Sequence, residues 1–157
     1  MLGRALGVIL FLMLFLPTQS TFASLDYGKQ SLIGADFSGS DLRAATFYLT
    51  NLQNADFSGS NLEGASFFDA KLENADLSDA NLRDATMDAA ILEGTNLTNA
   101  VLEGAFAFNT TFKDVNIKGA DFTDVLMNTQ SLQTLCSIAS GENPITKRQT
   151  IETLNCN

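Results

Sequence analysis

From Leu32 onward, every fifth residue of this chain is large and apolar. The series runs Leu32, Phe37, Leu42, Phe47, Leu52 and on to Leu132, and of its twenty-one members only Ala107 is small. The residue two places before each, from Ala35 to Val125, is Ala, Ser, Thr or Val in all nineteen repeats. The residue between these two is Asp or Asn in ten of the nineteen, among them Asp36, Asp41, Asn51, Asp56 and Asn61. A period of five fits neither a helix nor a strand. On a helix, each step of five leaves a residual rotation of roughly 140°, which scatters the apolar residues around the cylinder. On a flat strand they alternate between faces. A coil that turns a corner every five residues meets both objections. Each of its sides points one large and one small residue inward and three residues outward. Asp and Asn suit the turns, because their side chains hydrogen-bond nearby backbone groups.

Segments such as ADFSG (35–39 and 55–59), NLEGA (61–65) and ADLSDANLRDA (75–85) carry a resemblance. They are similar to the pentapeptide-repeat family, A-(D/N)-(L/F)-x-x, over Ala35 to about Thr129. The resemblance implies an all-β solenoid: a right-handed quadrilateral β-helix with four repeats per coil and about five coils. Residues twenty apart then stack into four interior columns. The first begins Phe37-Phe57-Leu77, the second Leu42-Leu62-Leu82, the third Phe47-Phe67-Met87 and the fourth Leu52-Leu72-Leu92. At a strand-like spacing of ~4.8 Å the solenoid is ~24 Å long. Such rods contact only their neighbours along the axis and need caps at their ends.

The two ends read differently. Residues 1–23, MLGRALGVILFLMLFLPTQSTFA, contain Arg4 as their only charge and an apolar run from Ala5 to Leu16. That run is shorter than the roughly 20 residues a transmembrane helix needs. It has the form of a signal-peptide core, and Thr21-Phe22-Ala23 supplies the small residues of a cleavage site. Cleavage after Ala23 changes the net charge from −9 to −9 − 1 = −10. The expectation is an exported chain without stable membrane insertion after processing, in a thylakoid lumen or a periplasm. The thylakoid-lumen pentapeptide proteins of cyanobacteria and plastids are the branch it most resembles. Residues 24–34 are expected to form an irregular first rung, and residues 35–129 the β-helix. Residues 130–157 form a helical cap, with one helix over 128–139 presenting Leu132, Leu135 and Ile138 on one side. A second helix starts at a capping box, Thr146-Lys147-Arg148-Gln149. Cys136 and Cys156, an even pair in an exported chain, are expected to form a disulfide. In the chain-entropy model its loop contributes ~3 kcal/mol.

Composition narrows the function. The chain has no His, which excludes Ser-His-Asp and Cys-His catalysis and imidazole metal sites. Two Cys cannot complete a zinc cage. Eighteen acidic against nine basic residues leave no basic face for nucleic acid. The expectation is a non-enzymatic chain with no catalytic residue, no cofactor and no metal. It presents a rigid β-helix face to an unknown protein partner.

The outward columns carry whatever recognition exists. Arg43-Glu63-Arg83-Glu103 and Gln53-Glu73-Glu93-Lys113 read as solvated ladders, and Asp69, Asp79, Asp84 and Asp88 as solvated acid. The third side differs, because Tyr48, Leu49, Phe68, Phe106 and Phe108, with Leu126 alongside, point outward. They read either as a partner-binding patch or as a surface covered by the chain's own termini. Ala107, between two phenylalanines, suggests a local distortion that refills the core. Two readings of other classes stand beside this one. Some proteins of the resembled family mimic DNA and occupy a topoisomerase, which the signal peptide disfavours here. A redox role for the Cys pair is disfavoured by the absence of a Cys-x-x-Cys spacing.

Overall fold

The structure is a computed structural model that describes residues 25–156. The signal-peptide reading, residues 1–23, lies outside the described residues.

Parallel bridges join residues twenty positions apart, from Asp26↔Thr46 through Asn61↔Asn81 to Val101↔Asp121. At two places the pairing lengthens into short strands. β1 (Ile91–Glu93) pairs with β3 (Thr111–Lys113), and β2 (Phe106–Ala107) pairs with β4 (Leu126–Met127), both parallel. Every coil thus lies one full circuit above the last, with four sides per circuit.

The repeat Asn81–Ala85 shows how five residues make a side. Asn81 N–H donates to Ser60 of the coil below, and Leu82 N–H to Val101 of the coil above. Leu82 then points into the core and is fully buried. Arg83 and Asp84 form the corner, closed by Ala85 N–H donating to the Leu82 carbonyl at 3.1 Å. Asp84 has φ +55. A β-turn with positive φ at its third residue needs Gly or Asn-like chemistry there. Ala85, fully buried, lets the chain round the corner close to its neighbours.

The Asp and Asn residues that precede inward side chains share one job. All ten, from Asp36 to Asp121, accept a hydrogen bond from the N–H two residues on. This pins the entry to each turn.

At some corners a glycine makes room for an Asx side chain rising from the coil below. A Cβ on Gly104 (φ +74) would lie 2.5 Å from Asp84 Oδ1. Elsewhere an Asx corner carries a side chain above it, as where Asn99 Nδ2 donates to Asp79 Oδ1 at 3.0 Å.

The core consists of the inward columns. Phe37 stacks on Phe57 and Phe47 on Phe67, each at 5.0 Å between ring centroids. Rings in adjacent columns meet edge to face, as Phe47 and Phe57 do at 5.4 Å. Both geometries suit the aromatic quadrupole.

Four details correct the sequence expectations. The first coil is regular from Asp26, since Tyr27 and Leu32 already donate to the coil above. Ala107 keeps its inward place, fully buried, with no distortion of the ladder; Met87 and Met127 flank it in the column. Unbranched thioether side chains are suited to filling such space. The first helix, α1, is Thr129–Cys136 and stops short of Ala139; Asn128 caps it by accepting from Ser131 N–H at 2.8 Å. Leu135 is buried, but Ile138 lies beyond the helix and is exposed. Thr146 does not begin a helix: α2 is Thr150–Thr153, with Gln149 at its N-cap and no side-chain cap.

Asn143 holds the cap to the solenoid. It is fully buried, and its Nδ2 donates to the carbonyls of Asn99, Ala100 and Gly119. Its Oδ1 accepts from Ile145 and Thr146 N–H. One side chain thereby ties the cap to carbonyls of two successive coils. Cys136 and Cys156 form a disulfide with a Cα–Cα distance of 5.6 Å, joining the end of α1 to the segment that follows α2.

Candidate interaction face

Each side of the solenoid points the residue before and the residue after its inward side chain to the outside. On the third side, ascending, these pairs are Thr46 and Tyr48, Ser66 and Phe68, Thr86 and Asp88, and Phe106 and Phe108. Tyr48 is 37 % exposed, Phe68 40 %, Phe106 43 % and Phe108 44 %. Leu49 and Leu126 are exposed beside them. The Tyr48 and Phe68 rings stack at 5.9 Å, and Lys29 Nζ lies 5.6 Å from the Tyr48 ring centre. The apolar surface forms two lobes. Tyr48, Leu49 and Phe68 make the lower one, Phe106, Phe108 and Leu126 the upper. The rung of Thr86, Asp88 and Ala89 separates them.

The termini do not cover this side among the described residues. The C-terminal segment crosses the end of the solenoid, where Ser131 Oγ bonds the Thr110 carbonyl and Phe122 N–H bonds Thr153 Oγ1. Leu49 is a further sign that the face is not generic. It is a β-carbon-bearing, bulky residue held at φ +54, a corner conformation filled mostly by Gly, Asn and Asp and otherwise by Lys29, Ala44 and Ala89. For an L-residue this costs roughly 1–2 kcal/mol. Strain of this kind concentrates at functional surfaces.

The polar sides are knit internally. Arg43 turns to Asp41 on its own rung at 2.7 Å rather than to Glu63. Arg83 reaches Glu103 at 3.5 Å, and Glu103 also takes Arg148 from the cap at 2.8 Å. Arg148 Nε donates to the fully buried Asp121 at 2.8 Å as well. The Arg148 hydrogen bond holds the Glu103 carboxyl below its ordinary value. Burial pushes Asp121 up, but the hydrogen bonds from Thr123 and the Arg148 charge bring it below its ordinary value on balance. On the fourth side Gln53 donates to Glu73, and Lys113 pairs with Glu93. The alternating-sign ladder is therefore only half formed, and its upper end serves to latch the cap. The latch was invisible to pattern reading, because Arg148 lies outside the repeats. Among the described residues no group of three or more acidic or Cys side chains is placed to hold a metal ion. Nor is any helix among them long and apolar enough to cross a membrane.

A family model for pentapeptide repeats matches residues 31–64, 65–104 and 90–128. The chain belongs to the pentapeptide-repeat family. Solved members of the family form right-handed β-helices. The chain is similar to a pentapeptide-repeat protein of the Arabidopsis thaliana thylakoid lumen, whose crystal structure it matches with a TM-score of 0.82 at 49 % identity. That match covers 83 % of this chain and 90 % of the other. The pentapeptide-repeat protein Rfr23 of the cyanobacterium Cyanothece matches with a TM-score of 0.58 at 29 % identity, covering 59 % of this chain and 64 % of that one. A curated relative, thylakoid lumenal 15 kDa protein 1 of Arabidopsis thaliana, is 50 % identical over 49 residues. That alignment spans 31 % of this chain and only 22 % of the relative's length.

Proposed function

We propose that the chain is an exported, non-enzymatic interaction module that works in the thylakoid lumen and docks a protein on its third side. Residues 1–23 direct export. The coils over 35–129, about five of them, hold the docking face rigid, and residues 130–157 close one end. The lumenal location of its pentapeptide-repeat relatives supports the compartment. The single observation that carries the docking role is the clustering of exposed apolar side chains, Tyr48, Leu49, Phe68, Phe106 and Phe108, on one side of the rod. Patches of this kind mark interaction sites, and aromatic side chains dominate interface energetics.

Capture from the exported compartment with the mature chain tests the reading. A partner retained by the wild type and lost with Phe68→Asp, but not with Ser58→Asp on the first side, is the expected result. Equal retention by both variants overturns it.

A further inference from the structure

The third side combines exposed aromatics with carboxylates that lack cations. Tyr48, Phe68, Asp88 and Phe108 follow one another up the row after the inward column, one per coil. Thr46, Ser66 and Thr86, in the row before it, are short and half-buried, so the first row stands as a ridge along a trough. Phe106 closes the trough at its upper end. Asp88 lies within the ridge, Asp69 at the corner behind it and Asp84 at the corner in front. None of the three has a basic partner among the described residues, whereas Asp41, Glu93, Glu103 and Asp121 on other sides do. Asn109 Nδ2 reaches Asp88 Oδ1 at 3.5 Å, and Arg83, next to Asp84, is turned to Asn81 and Glu103. Among the described residues the one cation of this side is Lys29, at its lower end over the Tyr48 ring.

We infer that this trough takes a basic amphipathic α-helix of a partner protein, lying along the solenoid axis. This deepens the docking reading above and rests on it. Spacing selects the helix. Down from Phe108, the rungs of Asp88, Phe68 and Tyr48 lie ~4.8, ~9.6 and ~14.4 Å away. On one stripe of a helix, residues i+3, i+7 and i+10 lie ~4.5, ~10.5 and ~15 Å from residue i. The two series keep step within about 1 Å. An extended strand turns a residue to the same face only every ~6.6 Å and is out of step from the first rung. Charge sets the direction and the residues. Lys29, one rung below Tyr48, suits the carbonyl end of the helix dipole, so the helix runs from Phe108 down to Tyr48. Its positions i, i+7 and i+10 meet Phe108, Phe68 and Tyr48 and are apolar. Position i+3 meets Asp88 and is Lys or Arg, and flanking basic residues face Asp69 and Asp84. The mature chain, at −9 − 1 = −10, also attracts such a helix over distance.

Selection from a displayed library of helical peptides on the mature chain tests this. The library holds Ala-rich helices of about 18 residues, long enough to be helical alone, randomised along one stripe and its flanks. The expected consensus is apolar at i, i+7 and i+10, with Lys or Arg at i+3. A labelled peptide of that consensus, followed by fluorescence anisotropy, should bind Asp88→Asn and Phe68→Ala at least about tenfold more weakly than the wild type. Ser58→Asp, on the first side, should bind it as the wild type does. Asp88 and Phe68 are both partly exposed, so melting midpoints should stay near that of the wild type. No enrichment, an acidic or neutral consensus at i+3, or equal binding to Asp88→Asn overturns the inference. If it fails while a partner captured from the compartment is still lost with Phe68→Asp, the basic helix falls and the docking face stands. If Phe68→Asp retains that partner, the docking reading falls and takes this inference with it.

Discussion

Leu82→Ala measures whether the five-residue register carries the fold. Leu82 is fully buried, with Leu62 below it and Leu102 above it in the second column. The substitution deletes three carbon atoms, about 2.4 kcal/mol of transfer at ~0.8 kcal/mol each. Bridges to both neighbouring coils hold the backbone, so the space left behind can collapse little. The cavity raises the total toward the upper part of the ~2–5 kcal/mol range. Arg83, one residue on, points outward to Asn81 and Glu103. Its removal should stay within about 1 kcal/mol. With an m-value of ~2 kcal/mol/M in urea, Leu82→Ala lowers the midpoint by ~2 M and Arg83→Ala by less than ~0.5 M. The contrast should recur at Leu62 and Glu63, and at Leu102 and Glu103. Equal sensitivity of the charged and apolar positions would refute the coil assignment, and the placing of Tyr48, Phe68 and Phe108 on one side with it.

Reducing Cys136–Cys156 should raise amide exchange in α2 while the coils keep their protection, because the Asn143 and Arg148 contacts hold the cap independently; loss of β circular dichroism on reduction would contradict this. The Arg148 latch depends on pH with a definite sign. Glu103 and Asp121 both titrate below their ordinary values of 4.5 and 3.8 in the folded chain. Their contribution is therefore complete above the ordinary carboxylate range and is lost as pH falls through the lower folded values. Arg148→Gln should remove much of that acid dependence, seen as a flatter melting midpoint between pH 5 and pH 3, roughly the window in which such carboxylates titrate. Gly104→Ala should cost at least ~1 kcal/mol, from positive φ and from Asp84 Oδ1 beneath. Adding Asp84→Ala should recover part of the loss in thermal denaturation.

The coils were legible because each side repeats the same local bargain. A large residue goes in, an Asx side chain pins the turn, and a small residue frees the corner. Nothing distant is needed to place Leu82 or Phe57. The third-side patch followed from the same register, down to Phe106 and Phe108 pointing outward. Ala107 misled for a reason inside that logic. One small residue in a column looked like a defect, but its neighbours Met87 and Met127 are flexible and the backbone hydrogen bonds hold the pitch. The first rung was hidden because Leu25 takes the place of the small residue. The cap resisted reading because its determinants are non-local. Asn143 reaches carbonyls 44 and 24 positions away, and Arg148 reaches carboxylates 27 and 45 positions away. No spacing rule connects such residues. Thr146 carried a helix-start pattern, yet its neighbour Ile145 and its own N–H are tied to Asn143 in a turn.

The claim at the centre of this account is that the third side is the recognition surface. A photo-reactive phenylalanine analogue placed at Phe108, and a control placed at Ser58 on the first side, test it in the compartment where the protein resides. Discrete protein adducts at position 108, with none at position 58, are the expected result. No adduct at position 108, or the same adducts at both positions, would contradict it.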